Sequence, residues 1–272
     1  MPLINPNLLR RTILEMSERC GQPTHLGGSL SEIDILNTLY GIVMKHNPAQ
    51  PLDETRDIFI LSKGHGFLGQ LSVLFHQGYF SERDLEGFQT DAGEFISHPV
   101  RDVVRGIESS NGSLGQGLSF GLGIAVGSLA MGNPRRTYVL MGDSECSEGS
   151  VWEAAILAGH LRTSNLVAIV DSNGHGNDGY GPVLGRRDLA RAFSAFGWHV
   201  KEVDGHDYDQ LQIAFEHDSS NRMPIAVICK TVKGKGVSFM EDNNDWHHGR
   251  VTSRVLERAL DELPIDLERN AS

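Results

Sequence analysis

Cysteine is scarce in this chain of 272 residues, which holds three. Cys20, Cys146 and Cys229 show no CxxC spacing and cannot all pair, so neither a disulfide scaffold nor a zinc site is indicated; they read as reduced thiols. Long apolar runs are missing as well. No stretch approaches the length of a transmembrane helix, and charged residues such as Arg10 and Arg11 interrupt the N-terminal apolar segment, so no secretory leader is read there. The cytoplasm is the expected location. Positive charge is in deficit, with 24 Lys and Arg against 35 Asp and Glu and a formal net charge of −11. That balance argues against nucleic acid or an anionic membrane as a partner, and its simplest meaning is solubility. Repeats, low-complexity segments and long linkers are also lacking, so residues 1–272 read as a single domain able to bury a large core.

What is present is alternation. Apolar periodicity predicts helices near 7–19, 31–44, 66–77, 117–130, 151–161, 187–195, 207–218 and 251–263. Strands are predicted at 57–61, 137–141, 166–171, 198–203 and 225–230. Strands alternating with helices imply an α/β fold, a mainly parallel sheet covered by helices on both faces. The unit from 137 to 171 is strand, helix, strand with a right-handed crossover, which puts Asp143 and Asn173 at the carboxyl ends of two parallel strands, where open α/β sheets bind ligands.

Magnesium takes octahedral oxygen coordination with few protein ligands, leaving positions for phosphate oxygens. Asp143, Asn173 and the backbone carbonyl of His175 supply such a set. A capping Asp after a strand and a turn Asn are the commoner origin of such a pair, so these residues alone leave both readings open.

Other segments extend the pattern. Gly142-Asp143-Ser144-Glu145, Glu148-Gly149-Ser150-Val151-Trp152-Glu153-Ala154 and Asn165-Leu166 to Asn173 resemble the thiamine diphosphate motif of transketolases. Also similar to that family, and in its order, are His25 after Pro23-Thr24, Leu61-Ser62-Lys63-Gly64-His65-Gly66, His98-Pro99, Gly112-Ser113-Leu114-Gly115-Gln116-Gly117, Lys230 to Gly236, and Trp246-His247-His248-Gly249. The resemblance covers nearly the whole chain.

It implies a diphosphate-binding domain with the thiamine diphosphate-binding fold, the pyrimidine-binding and C-terminal domains being absent. The chain would be the N-terminal subunit of a split transketolase, transferring a two-carbon ketol unit from a ketose (phosphate) to an aldose (phosphate). The glutamate that activates the cofactor lies in the family's pyrimidine domain, so the resemblance implies a separate C-terminal subunit, an α2β2 assembly and an inactive isolated chain. The implied cofactors are thiamine diphosphate and magnesium, with calcium or manganese as substitutes. A thiamine-dependent enzyme acting on a 2-keto acid, or a non-catalytic scaffold subunit, is the alternative.

The resemblance also assigns residues. His25, His98 and His247 would line the substrate channel, with His65 and His247 reaching the cofactor. His247 is taken over His248 because its spacing from Lys233 matches family members with a single histidine. Lys63 and Lys233 would meet diphosphate oxygens, or else be solvated lysines. Gly112, Ser113 and Leu114 would face the aminopyrimidine, and Gly142 and Ser144 would offer backbone N–H groups. Glu148 would relay protons between sites, or simply favour a helix N-terminus. The family usually has Gly where Ser144 stands, and a Cβ there disfavours positive φ, which puts cofactor affinity in question. Residues 174–185 are either a loop over the cofactor or an ordinary surface turn. His76, His160, His175, His199, His206 and His217 read as surface or core histidines. A dinucleotide reading of Gly121 to Gly127 lacks the fingerprint spacing, and its small residues read as packing.

Overall fold

The computed structural model describes residues 2–91, 93–133, 135–177, 179–180, 188–216 and 222–265. Helix α1 (Pro6–Cys20) starts where the Asn5 side chain accepts the Asn7 amide, and it stops at Gly21, whose left-handed backbone (φ 64°) donates to the Glu18 carbonyl. Leu9, Ile13 and Met16 are its buried stripe. Helices α2 (Gly27–Ser31) and α3 (Ile33–Thr38) follow, and then a wider π turn, Leu39–Val43. The helix expected over 31–44 is therefore interrupted. Leu3 fills the space beside Gly41, where a Cβ would lie 3.0 Å from Leu3 Cδ2.

The remaining elements are β1 (Ile58–Leu61), α4 (Phe67–His76), α5 (Glu82–Glu86), α6 (Gly117–Ala130), β2 (Thr137–Gly142), α7 (Gly149–Leu161), β3 (Leu166–Ser172) and the two-residue pair β4 (His175–Gly176) and β5 (Gly179–Tyr180). After these come α8 (Leu189–Ala195), β6 (His199–Asp204), α9 (Tyr208–Phe215), β7 (Ile225–Lys230) and α10 (Ser253–Asp261). Each main strand lies within a residue of its expected bounds at either end. Positions 187 and 217–218 of two expected helices, and 178 and 181–185 of the expected loop, fall outside the described residues.

The sheet has the order β1-β2-β3-β7-β6, and every neighbouring pair is parallel. Alternate side chains feed two cores. Tyr138 and Leu140 of β2 pack with Leu9, Ile13 and Leu71, while Val139 and Met141 pack with Leu118, Leu122, Val151 and Ala155 of α6 and α7. A buried aliphatic side chain contributes about 1.5–3 kcal/mol, so the two layers lock the register of the strands. The carboxyl ends Leu61, Gly142, Ser172 and Lys230 consequently share one edge of the sheet. Among the described residues, no helix is long and apolar enough to cross a membrane.

Candidate active site

A cavity of about 260 Å³ opens at that edge. Its lining brings together His25, Lys63, His65, His98, Gly112, Leu114, Gly142, Asp143, Ser144, Asn173, His175 and His247 from separate loops and turns. Ser113 and Glu148 are exposed outside it, Glu148 at the N-cap of α7, and Lys233 is buried beside it. A larger hollow of about 540 Å³ shares His98 with it but is lined largely by Leu52, Phe95, Ile96 and Val104. Its Arg105 is neutralised by Asp84, Glu94 and Asp102, so the reactive groups lie in the smaller cavity.

Asp143 follows β2 and ties it to the turn after β3. Its Oδ1 accepts the Ser144 amide at 2.7 Å and its Oδ2 accepts the Gly174 amide at 2.7 Å. Burial pushes its carboxyl up. Asn173 Oδ1 accepts the His175 amide at 3.0 Å, which curls the chain so that His175 and Gly176 turn into the cavity. Ser144 opens a short 3-10 turn, and it is not among the residues with positive φ. The expected backbone conflict at Ser144 therefore does not arise, and its N–H is engaged by Asp143.

The histidines gather around His25. Its ring centroid lies 5.8 Å from His65, 5.7 Å from His98, 5.5 Å from His247 and 4.6 Å from His248. The strand-like bridge between Thr24 and Gly249 holds the two segments together, with amide-to-carbonyl bonds of 2.8 and 2.9 Å. His247 lies 5.8 Å from His65 and lines the cavity, whereas His248 is exposed and does not line it. Burial first, then the neighbouring imidazoles His248, His247 and His98, pushes His25 down to about 4. Burial likewise lowers His65 and His98. His25, His65 and His98 are thereby held toward the neutral form, in which a ring carries one N–H and one lone pair.

Lys63 departs from its expected role. Its side chain is 1% exposed, and its ammonium meets the Gly28 carbonyl at 2.8 Å, Asp171 Oδ2 in a short contact, and Glu32 Oε2 at 2.9 Å. Two hydrogen bonds and an ion pair hold this buried ammonium within the protein, so it is not a free donor for diphosphate. Asp171 also accepts Ser31 Oγ at 2.7 Å and the Thr231 hydroxyl, and although burial opposes ionisation, Lys63 holds its carboxyl low. Asp171 is thus the counter-ion. Burial pushes Glu32, the second acid against the same ammonium, up to about 8. Lys233 Nζ donates to the Gly176 carbonyl and to Asn244 Oδ1, both at 3.0 Å, and burial lowers its ammonium to about 8.

Glu145 is a functional residue that sequence reasoning missed. It accepts the Ser62 hydroxyl, the Gly115 amide at 2.8 Å and the Gly142 amide at 3.0 Å, binding the loops after β1 and β2 to the loop before α6. Its place inside the Gly142 to Glu145 motif was the available signal. Gly115 has to be glycine, because its φ is +80° and a Cβ would lie 2.5 Å from that of Glu148.

Comparison with known proteins agrees with this geometry. Residues 14–254 match the family described as transketolase, thiamine diphosphate binding domain. The chain is 36% identical over 256 residues to an apulose-4-phosphate transketolase subunit of Actinobacillus succinogenes, covering 94% of this chain and 93% of that one. It is also 36% identical to a 6-deoxy-6-sulfo-D-fructose transketolase subunit from a Clostridium species, with 94% of each covered. Human transketolase is 33% identical over 94% of this chain but only 41% of its own length. The transketolase structure from Campylobacter jejuni superposes with a TM-score of 0.89 at 28% identity, covering 96% of this chain and 42% of that one. The fold and cavity define a cofactor-binding α/β domain. The chain belongs to the transketolase family, as its thiamine diphosphate-binding domain.

Proposed function

We propose that the chain is the cofactor-binding subunit of a two-subunit transketolase, moving a two-carbon ketol unit from a ketose (phosphate) to an aldose (phosphate). The observation that carries this is the ring of imidazoles, His25, His65, His98 and His247, on the same cavity as Asp143 and Asn173. The donors fit the cofactor. Asp143, the Asn173 amide oxygen and the His175 carbonyl form an all-oxygen set suited to magnesium, or to calcium or manganese, and Asp143 keeps lone pairs beyond its two amide partners. Lys233 retains one N–H beyond its two bonds, a point charge for diphosphate. Gly112 and Leu114 line the cavity and would face an aminopyrimidine, and Ser113 between them is exposed.

Bound there, thiamine diphosphate supplies the carbanion chemistry of ketol transfer. The chain's own residues do the rest. His25, His98 and His247 orient the donor and acceptor oxygens, giving a proton from N–H and receiving one at the lone pair without a change of net charge in the resting site. Glu145 keeps the three loops in register.

A partner is required by the same reading. Glu148 and Ser113 are exposed outside the cavity, and α6 and α7 present Phe120, Ile156, Leu157 and Leu161 to solvent, 48–50% exposed. These surfaces support contact with a pyrimidine-binding C-terminal subunit in an α2β2 assembly, with Glu148 as the residue relaying protons between sites. The absence of disulfides among Cys20, Cys146 and Cys229 goes with a cytoplasmic setting.

Calorimetric titration with thiamine diphosphate and magnesium tests the reading, repeated with Asp143→Ala and with a candidate C-terminal subunit. Binding that tightens with that subunit and is lost in the variant is expected. No heat under any condition overturns the cofactor assignment.

A further inference from the structure

His206 lies outside the cavity and looks like an ordinary polar residue in the turn after β6. Its bonds say more. Nδ1 lies 2.7 Å from Asp34 Oδ2, and Nε2 lies 2.9 Å from the amide nitrogen of Val232. A backbone N–H can only donate, so Nε2 must present its lone pair, and the ring proton must sit on Nδ1 facing Asp34. Only one neutral tautomer satisfies both contacts.

Asp34 is anchored independently. It accepts Arg10 Nη2 at 2.6 Å and Tyr208 Oη at 3.0 Å, and its side chain is 5% exposed. Val232 occupies a consequential place. The residue before it, Thr231, bonds Asp171, and the residue after it, Lys233, reaches Gly176 and Asn244 beside the cavity. One position further, the Gly234 amide donates to the Gly27 carbonyl at 3.0 Å, two residues from His25. The Val232 amide itself is held by His206.

We propose that His206 is a positioning residue: an imidazole oriented by Asp34 that holds the Val232 amide and thereby sets Lys233 and the 231–234 loop against the cavity. It touches neither cofactor nor substrate; it acts through Lys233 and the Gly27 contact. The orienting carboxylate, the fixed tautomer and the held backbone amide form a chain of contacts reaching from α3 to the cavity wall.

Two substitutions separate this role from a merely structural one. His206→Asn places an amide nitrogen where Nδ1 stands, so the Asp34 contact persists while the acceptor for Val232 is lost. His206→Gln reaches the Nε2 position with its amide oxygen and restores that acceptor. The first readout is hydrogen exchange of the Val232 amide, with thermal unfolding as the check that each variant is folded. In His206→Asn the amide exchanges about tenfold faster, as expected for a lost half-buried hydrogen bond, and in His206→Gln it stays close to wild type. The second readout rests on the cofactor reading above: the dissociation constant for thiamine diphosphate with magnesium rises about tenfold in His206→Asn and is rescued in His206→Gln. A folded His206→Asn protein with wild-type Val232 exchange overturns the proposal, as does fast exchange with unchanged cofactor affinity. If the wild-type chain binds no cofactor, the cofactor reading fails, and the exchange experiment still decides whether His206 holds the loop.

Discussion

Replacing Lys63 with methionine isolates the buried charge cluster beneath the cavity. The lysine side chain is 1% exposed and stands against Asp171 and Glu32, both with side chains 0% exposed. Removing one partner of a buried ion pair costs about 3–5 kcal/mol, because the remaining charge is left without compensation. Asp171 would keep the Ser31 and Thr231 hydroxyls as donors, which moves the expectation to the lower end, about 3 kcal/mol. Against a total stability of about 5–15 kcal/mol, that loss shifts a urea midpoint by roughly 1 M or more.

The pH dependence follows from the signs. Asp171 is held low in the folded state, so its contribution is present above its unfolded value and fades as pH falls through the folded one. Lys63 is held high, so its contribution is complete below its unfolded value and fades only in strong base. The cost of Lys63→Met is therefore expected in full at pH 7 and reduced in acid. Urea unfolding of Lys63→Met, Asp171→Asn and the double variant forms a cycle whose coupling should be about 2 kcal/mol or more. A cost under about 1 kcal/mol, or an equal cost on the Asp171→Asn background, would refute the pairing.

Glu32 supplies an opposite slope: its carboxyl binds a proton up to about 8 when folded against 4.5 as its ordinary value, so its contribution to stability falls as pH rises between them. Glu32→Gln should remove roughly 2 kcal/mol of stability loss between pH 6 and 8, and parallel unfolding curves for variant and wild type would end that argument. Gly115→Ala places a Cβ 2.5 Å from Glu148 Cβ at φ +80°, and a cost of about 1–3 kcal/mol in thermal or urea unfolding is expected; a neutral result would mean that the loop before α6 is not held as described.

Much of the fold was legible because strand and helix periodicities differ. The runs ending at Met141 and Asp171 were placed within a residue by apolar residues bounded by turn chemistry, and the parallel direction of β2 and β3 followed from the intervening helix, while the strand order was not legible. Two short helices escaped. α5 had a visible cue, the Ser81 and Asp84 capping box, in a segment too short to show periodicity. α2 begins with Gly27 and Gly28, poor helix formers; they are tolerated because Lys233 and His65 side chains occupy the space a Cβ would need.

The site was legible in its parts and not in its wiring. Motifs marked the residues that reach the cavity, because a histidine or an Asp at a strand end announces its chemistry locally. The partner of a lysine is another matter. Lys63 sits in a Gly-flanked loop and reads as a cation awaiting an anion from outside, yet the sheet brings Asp171 from 108 positions away and Glu32 from a different helix turn to meet it. A buried charge is satisfied by whatever the topology brings near, and separation along the chain carries no trace of that. His206 repeats the lesson: only the folded chain shows that Asp34, 172 positions away, fixes which nitrogen holds the proton, and hence which side of the ring can hold Val232. The cavity thus combines two layers: side chains that face its interior, which sequence motifs can mark, and side chains that hold those in place, whose roles are defined by contacts between distant positions.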